Sequence, residues 1–355
     1  MMLDERTQID RYIEAVPKAE LHVHLEGSIQ PATLLMLAQR NNVELPVQTV
    51  EDLQDWFTFR DFDHFIEIYF ELSSCLKTSD DYELIVYEFG AHMARQNVRY
   101  AEVTFSPSTH QFSLGIPFDV FFSGLTKGRL RAQKEFGVEI RWVFDIVRDI
   151  PDEMLNRRRA EYTLAVAEEG MNDGVVALGL GGGEVGNPPE RYAKWFEKAL
   201  EAGLHSAPHA GETVGPESVW GAVRVLGTER LGHGVRSIED PELVEYLAER
   251  HIPLEICPTS NIRLGVYPDL AAHPLRRLYE AGVSVTINSD DPPLFNTTLN
   301  DEAKLLYSSF NFDVNTINEI LLNGVRCSFL PTDKRQALEA LFRSEMTRLQ
   351  RELSL

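Results

Sequence analysis

Cysteine is scarce: Cys75, Cys257 and Cys327 are the only three in 355 residues, and no two form a CxxC pair. Three widely spaced thiols support neither a disulfide framework nor a thiolate zinc site. Long apolar runs are also missing, with none reaching the ~18 residues that a membrane span needs. The polar start, "MMLDERTQIDRYIEAVPKAE", lacks an apolar signal core, so the expected location is the cytoplasm. Basic residues are few: 34 Lys and Arg against 55 Asp and Glu leave a net charge of −21. That field repels nucleic acid and anionic membrane surfaces, and it favours a small neutral or cationic partner. No linker, charge block or low-complexity segment divides the chain, which reads as one domain over residues 1–355. Oligomeric state has no signature in the sequence.

What is present is a recurring unit, a short β-rich apolar run followed by an amphipathic helical stretch. The runs are "AELHVHL" (19–25), "VRYAEVTF" (98–105), "EIRWVFDIV" (139–147), "VVALGLGG" (175–182), "LHSAPHAGE" (204–212), "RLGHGV" (230–235), "PLEICPTS" (253–260) and "VSVTINSDD" (283–291). Eight strands alternating with helices predict parallel βαβ units closed into a (β/α)₈ TIM barrel, with a doubly wound sheet as the alternative. Helix signals agree: Asp240 and Pro241 open "DPELVEYLAERH", and Gly282 ends "HPLRRLYEAGV". The last helix is expected to place Leu338, Leu341 and Phe342 on one face. Residues 26–97 form an unusually long connection between the first two strands. It is expected to hold extra helices packed over one barrel end, as a lid or as a structural insertion.

Chemistry-bearing residues collect at strand ends, where barrels carry their active sites. "AELHVHLEGS" puts His22 and His24 at i and i+2, hence on one face of the first strand. The fifth strand ends in His209-Ala-Gly-Glu212, the sixth in Gly-His233-Gly, and the eighth in Asp290-Asp291. Ionisable groups are costly to bury unless paired or metal-bound. Four strands ending this way at one face are hard to explain by core packing alone. "GGGEVG" (181–186) fits the dinucleotide pattern GxGxxG, but Asn187-Pro188-Pro189 follows where a helix should open at once.

The stretches "KAELHVHLEGSIQP", "YAEVTFSP", "HAGE", "RLGHGV", "EICPTSN" and "SDDP", in this order, resemble the adenosine/adenine deaminase family of metal-dependent amidohydrolases. The resemblance implies one zinc ion per chain held by His22, His24, His209 and Asp290, with iron or another divalent ion fitting the same N/O set. It implies that hydroxide formed on the metal attacks C6 of a purine. It further implies Glu212 as the proton donor to ring N1 and His233 as the group that orients the attacking oxygen. Asp291 then meets N7, Gly182 meets N3 through its backbone, and His24 and Glu26 also face the substrate. A metal-bridging lysine is missing from the fourth strand, so the centre is expected to be mononuclear. Cys257 reads as a buried thiol, and His64, His92, His110, His205, His251 and His273 as structural or exposed. Asp61 and Asp63 read as helix-surface charge.

The resemblance points to hydrolytic deamination of adenosine or a related 6-aminopurine nucleoside. Adenine deaminase and aminodeoxyfutalosine deaminase are the alternative activities, and an inactive purine-binding barrel is a remote one. Glu26 stands where adenosine deaminases usually carry an aspartate that meets the ribose 5′-hydroxyl. Its charge disfavours a 5′-phosphate.

Overall fold

The computed structural model describes residues 5–355, so the first four residues of the polar start lie outside it. Eight strands occur in the order of the chain: β1 (Lys18–His24), β2 (Val98–Phe105), β3 (Glu139–Val147), β4 (Val175–Gly181), β5 (His205–Ala210), β6 (Leu231–His233), β7 (Leu254–Ile256) and β8 (Val285–Ile287). Every neighbouring pair is parallel. Beyond β8 the chain returns to β1 through a bridge between Val23 and Asp290. There His24 N–H donates to Asp290 O at 2.9 Å, and Asp290 N–H donates to His22 O at 3.1 Å. The sheet is therefore the expected (β/α)₈ barrel, not a doubly wound sheet. Among the described residues no helix is long and apolar enough to cross a membrane.

β6, β7 and β8 are shorter than their apolar runs, for local reasons. His233 and Asp290 have φ of 57° and 63°, which ends extended structure. Pro258 opens a helix directly after Cys257. Asp240 caps the helix Pro241–Arg250 by accepting from Glu242 N–H and Leu243 N–H. Gly282, at φ 88°, follows the helix Leu275–Glu280 as expected of a C-terminal glycine.

The helix Thr332–Leu353 departs from expectation: it buries Phe342, Met346 and Leu349. Leu341 is 45% exposed. The buried residues follow the i, i+4, i+7 stripe, and Leu341 sits one helical step off it.

Four helices lie within 26–97: Pro31–Arg40, Val50–Trp56, Phe62–Ser73 and Ser79–Arg95. The last is not over the barrel end but belongs to the outer ring beside Phe118–Phe136. A Cβ on Gly128 would come 2.6 Å from Val86 Cβ, so glycine permits this close approach. The helix Phe62–Ser73 does lie at the mouth, where Phe65 stacks on Phe295 with ring centroids 5.5 Å apart. Asp61 caps that helix, accepting from His64 N–H at 2.8 Å, a more specific role than surface charge.

Candidate active site

At the C-terminal ends of the strands a cavity of about 450 Å³ is lined by His24, His209, Glu212, His233, Asp290, Asp291 and Gly182. A larger depression between the first and last helices, near Arg6 and Asp313, contains none of these groups. His22 lies immediately behind the wall, its ring 4.5 Å from that of His209.

The ligand atoms of His22, His24 and His209 all fall within 4.8 Å of one another. Asp290 Oδ1 lies 3.3 Å from Nε2 of His22 and 3.3 Å from Nε2 of His24. His24 Nε2 and His209 Nε2 are also 3.3 Å apart. A tetrahedron with metal–ligand bonds of ~2.0–2.1 Å has edges of about 3.3 Å, so this donor set already has zinc-like spacing. His22 Nε2 is buried without a hydrogen-bond partner, as an atom reserved for a metal would be. Gly232 makes the packing possible, because a Cβ there would approach His22 Cε1 to 2.8 Å and His209 Cγ to 3.0 Å.

Burial biases two carboxyl groups on the cavity wall toward their protonated forms. Burial, reinforced by the charges of Asp290 and Glu184, pushes Glu212 up to about 8. Burial and the adjacent Asp290 push Asp291 well above the carboxylate range. Burial opposes the ionisation of Asp290, but the adjacent His22 and His24 rings hold it well below that range. Glu212 Oε1 and Asp291 Oδ1 are buried and unpartnered. When protonated, each can donate an O–H hydrogen bond to an acceptor in the cavity. The left-handed turn at Asp290 is what lets consecutive aspartates serve one site.

His233 has a defined tautomer. Burial pushes His233 and His273 down to about 3, so both rings are neutral. Leu275 N–H donates to His273 Nδ1 at 3.2 Å, which puts the His273 proton on Nε2. That proton goes to Asn261 Oδ1 at 3.0 Å. The Asn261 amide then donates to His233 Nδ1 at 3.3 Å. His233 is left with Nε2–H facing Glu212 and Asp290, at 3.6 and 3.7 Å.

Several supporting residues were not foreseen. Glu184, within "GGGE", accepts backbone N–H groups from Gly211, Glu212, Thr213 and Val214, and so shapes the turn that presents Glu212. Glu255, within "EICPTSN", accepts from His22 Nδ1 at 3.0 Å. Arg230 Nε donates to Glu255 at 2.5 Å, and the same guanidinium pairs with Glu102. The signal available was a charged residue inside an apolar strand. Glu255→Ala leaves His22 without the acceptor that fixes its ring. It is expected to weaken metal binding by ~10–100-fold, measured as metal retained against a chelator series.

Glu26 is an expected substrate-binding residue that does not line the cavity. It is buried, with Oε1 accepting from His110 Nε2 at 3.0 Å and from Ser106 N–H at 3.1 Å, and Oε2 accepting from Tyr69 O–H at 3.1 Å. His110 is thus structural, as expected, and so is His273. Cys257 is a buried thiol whose pKa is raised well above normal by burial and then by Asp290, although it lies close to His22 and Asp290.

A family model for adenosine deaminase matches residues 17–343. The aminodeoxyfutalosine deaminase of Streptomyces coelicolor is 43% identical over 330 residues, covering 92% of this chain and 84% of that relative. The crystal structure of adenine deaminase from Arthrobacter aurescens superposes with a TM-score of 0.86 at 32% identity, covering 94% of this chain and 99% of that one. An amidohydrolase from Burkholderia ambifaria, solved with bound zinc, superposes with a TM-score of 0.88 at 27% identity, covering 100% and 96%. With its barrel, its strand-end motifs and these relatives in agreement, the chain belongs to the adenosine deaminase family of aminohydrolase enzymes, within the amidohydrolase superfamily.

Proposed function

We propose that this enzyme removes ammonia hydrolytically from a 6-aminopurine nucleoside, and that its preferred substrate is extended at the 5′ carbon, as in aminodeoxyfutalosine. The observation that carries the reading is a His₃Asp cluster of zinc-like spacing in one cavity with two buried, unpartnered carboxyl oxygens, Glu212 Oε1 and Asp291 Oδ1. His22, His24, His209 and Asp290 would hold one zinc ion per chain, which supplies Lewis acidity and activates water near neutral pH. Glu212 donates its proton to N1 of the purine, making C6 electrophilic. Asp291 donates a hydrogen bond to N7, and the backbone of Gly182 meets N3. Gly182 suits a close contact because its φ is 80° and a Cβ there would lie 2.7 Å from Asp149 Oδ1. His233, with its proton on Nε2, steadies the oxygen that attacks C6. The aromatic face of the helix Phe62–Ser73 serves as a lid that keeps bulk water out. The reaction belongs to the cytoplasm.

The 5′ extension is supported by Glu26. Its two oxygens already accept three hydrogen bonds, so it offers little to a ribose 5′-hydroxyl. The Streptomyces coelicolor relative carries the corresponding activity in its name. Comparing ammonia release from aminodeoxyfutalosine, adenosine, deoxyadenosine and adenine tests the reading. The expected order of kcat/KM puts aminodeoxyfutalosine first and adenine last, lower by at least ~10². Adenine as the best of the four would overturn the nucleoside assignment.

A further inference from the structure

Arg159 is not needed by the chemistry above, yet it is placed with care. It lies in the helix Glu153–Gly170, is 8% exposed, and lines the same cavity as Glu212 and Asp291. Its Nη2 donates to Ser113 Oγ at 2.8 Å. Its Nε is buried without a partner. Among the described residues, no carboxylate lies within 4.0 Å of its guanidinium. Among the described residues it is the one Lys or Arg lining this cavity, which also carries the carboxyl residues Glu67, Asp145 and Asp149, in a chain of net charge −21. Burial opposes its charge, with only the more distant Asp149 supporting it. An unpaired buried cation is costly unless a ligand completes it.

Ser113, which also lines the cavity, is exposed, so Arg159 is bonded to a residue where the cavity meets solvent, whereas His22, His209 and His233 are buried or partly buried. Phe65 and Tyr69 line the same cavity and offer flat apolar surface. We propose that Arg159 and Ser113 form a subsite for a carboxylate carried on an aromatic group at the 5′ end of the substrate. The proposal rests on the purine ring lying at the inner end, as in the function proposed above. A guanidinium reads a carboxylate with directed, charge-assisted hydrogen bonds. A single arginine whose charge is already partly met by Asp149 matches a monoanion and not a phosphate dianion. Aminodeoxyfutalosine, whose 5′ arm ends in a benzoate, has this chemistry.

The test is calorimetric binding to zinc-loaded Glu212→Gln protein, where turnover is slowed by ~10²–10⁴, with and without Arg159→Gln. Arg159→Gln is expected to raise the Kd for aminodeoxyfutalosine by ~30-fold and to leave 5′-deoxyadenosine within ~3-fold. Where Arg159 is intact, the carboxamide of aminodeoxyfutalosine should bind ~30-fold more weakly than the acid, a result that does not depend on the variant folding. AMP should bind more weakly than either. Equal losses for both nucleosides, equal affinity for acid and carboxamide, or preference for AMP would overturn the subsite alone. No binding by any nucleoside would overturn the subsite together with the purine-nucleoside reading. Failure of deamination in the unmutated enzyme, with these affinity ratios intact, would overturn only the chemistry.

Discussion

Asp290→Ala is expected to strip the metal and abolish turnover. Asp290 provides the one carboxylate of the cluster, with Oδ1 3.3 Å from Nε2 of both His22 and His24. Its removal leaves three imidazoles without the anion that offsets a divalent charge. Protein purified in zinc-containing medium should hold about one zinc per chain, and Asp290→Ala a small fraction of that. His22→Ala should behave alike, because it removes a ligand that is locked from behind by Glu255. Metal analysis beside an ammonia-release assay decides the matter. Full metal content with retained activity in either variant would sink the ligand assignment. The backbone bridge through Asp290 O and N–H does not depend on the side chain, so far-UV circular dichroism should still report a folded barrel.

Glu212→Gln is expected to separate metal binding from proton transfer. The amide keeps the size of the side chain and can still donate a hydrogen bond, but it has no carboxyl proton to give. Glu184 should continue to hold the turn, since its bonds reach backbone N–H groups and not the Glu212 side chain. Zinc should therefore remain while kcat falls by ~10²–10⁴. Normal turnover in Glu212→Gln would mean that another group protonates the ring. Loss of zinc would mean that Glu212 supports the metal cluster and not the proton transfer.

Much of this architecture is legible in the chain because strand order and chemistry coincide. His22 and His24 share a face through the two-residue period of β1, and the other expected groups stand at later strand ends. A sequential parallel barrel brings those ends together at one mouth without further information. Supporting contacts were harder to see. Glu184 acts across to the turn after β5, and Arg230 reaches Glu255 and Glu102 on two other strands, so neither has a local pattern. Arg159 sits on a ring helix, where an arginine in sequence looks like solvated surface. Glu26 stands where the resemblance implies a contact with the ribose 5′-hydroxyl, and the short 3₁₀ turn Glu26–Ser28 places its oxygens against His110 and Ser106, both remote in the chain. The face of the last helix was off by one residue because Leu341 and Phe342 are equally apolar, and only packing selects between them.

The most direct test of the central claim is the isotopic course of the reaction. Zinc-loaded enzyme would be incubated with aminodeoxyfutalosine, adenosine and adenine in ¹⁸O-water, with product mass and ammonia measured in the same samples. The account predicts one ammonia for each 6-oxo product, with ¹⁸O at C6, and the fastest conversion for aminodeoxyfutalosine. Zinc-replete protein that forms no 6-oxo product from any of the three, or a product whose C6 oxygen does not come from water, would contradict it.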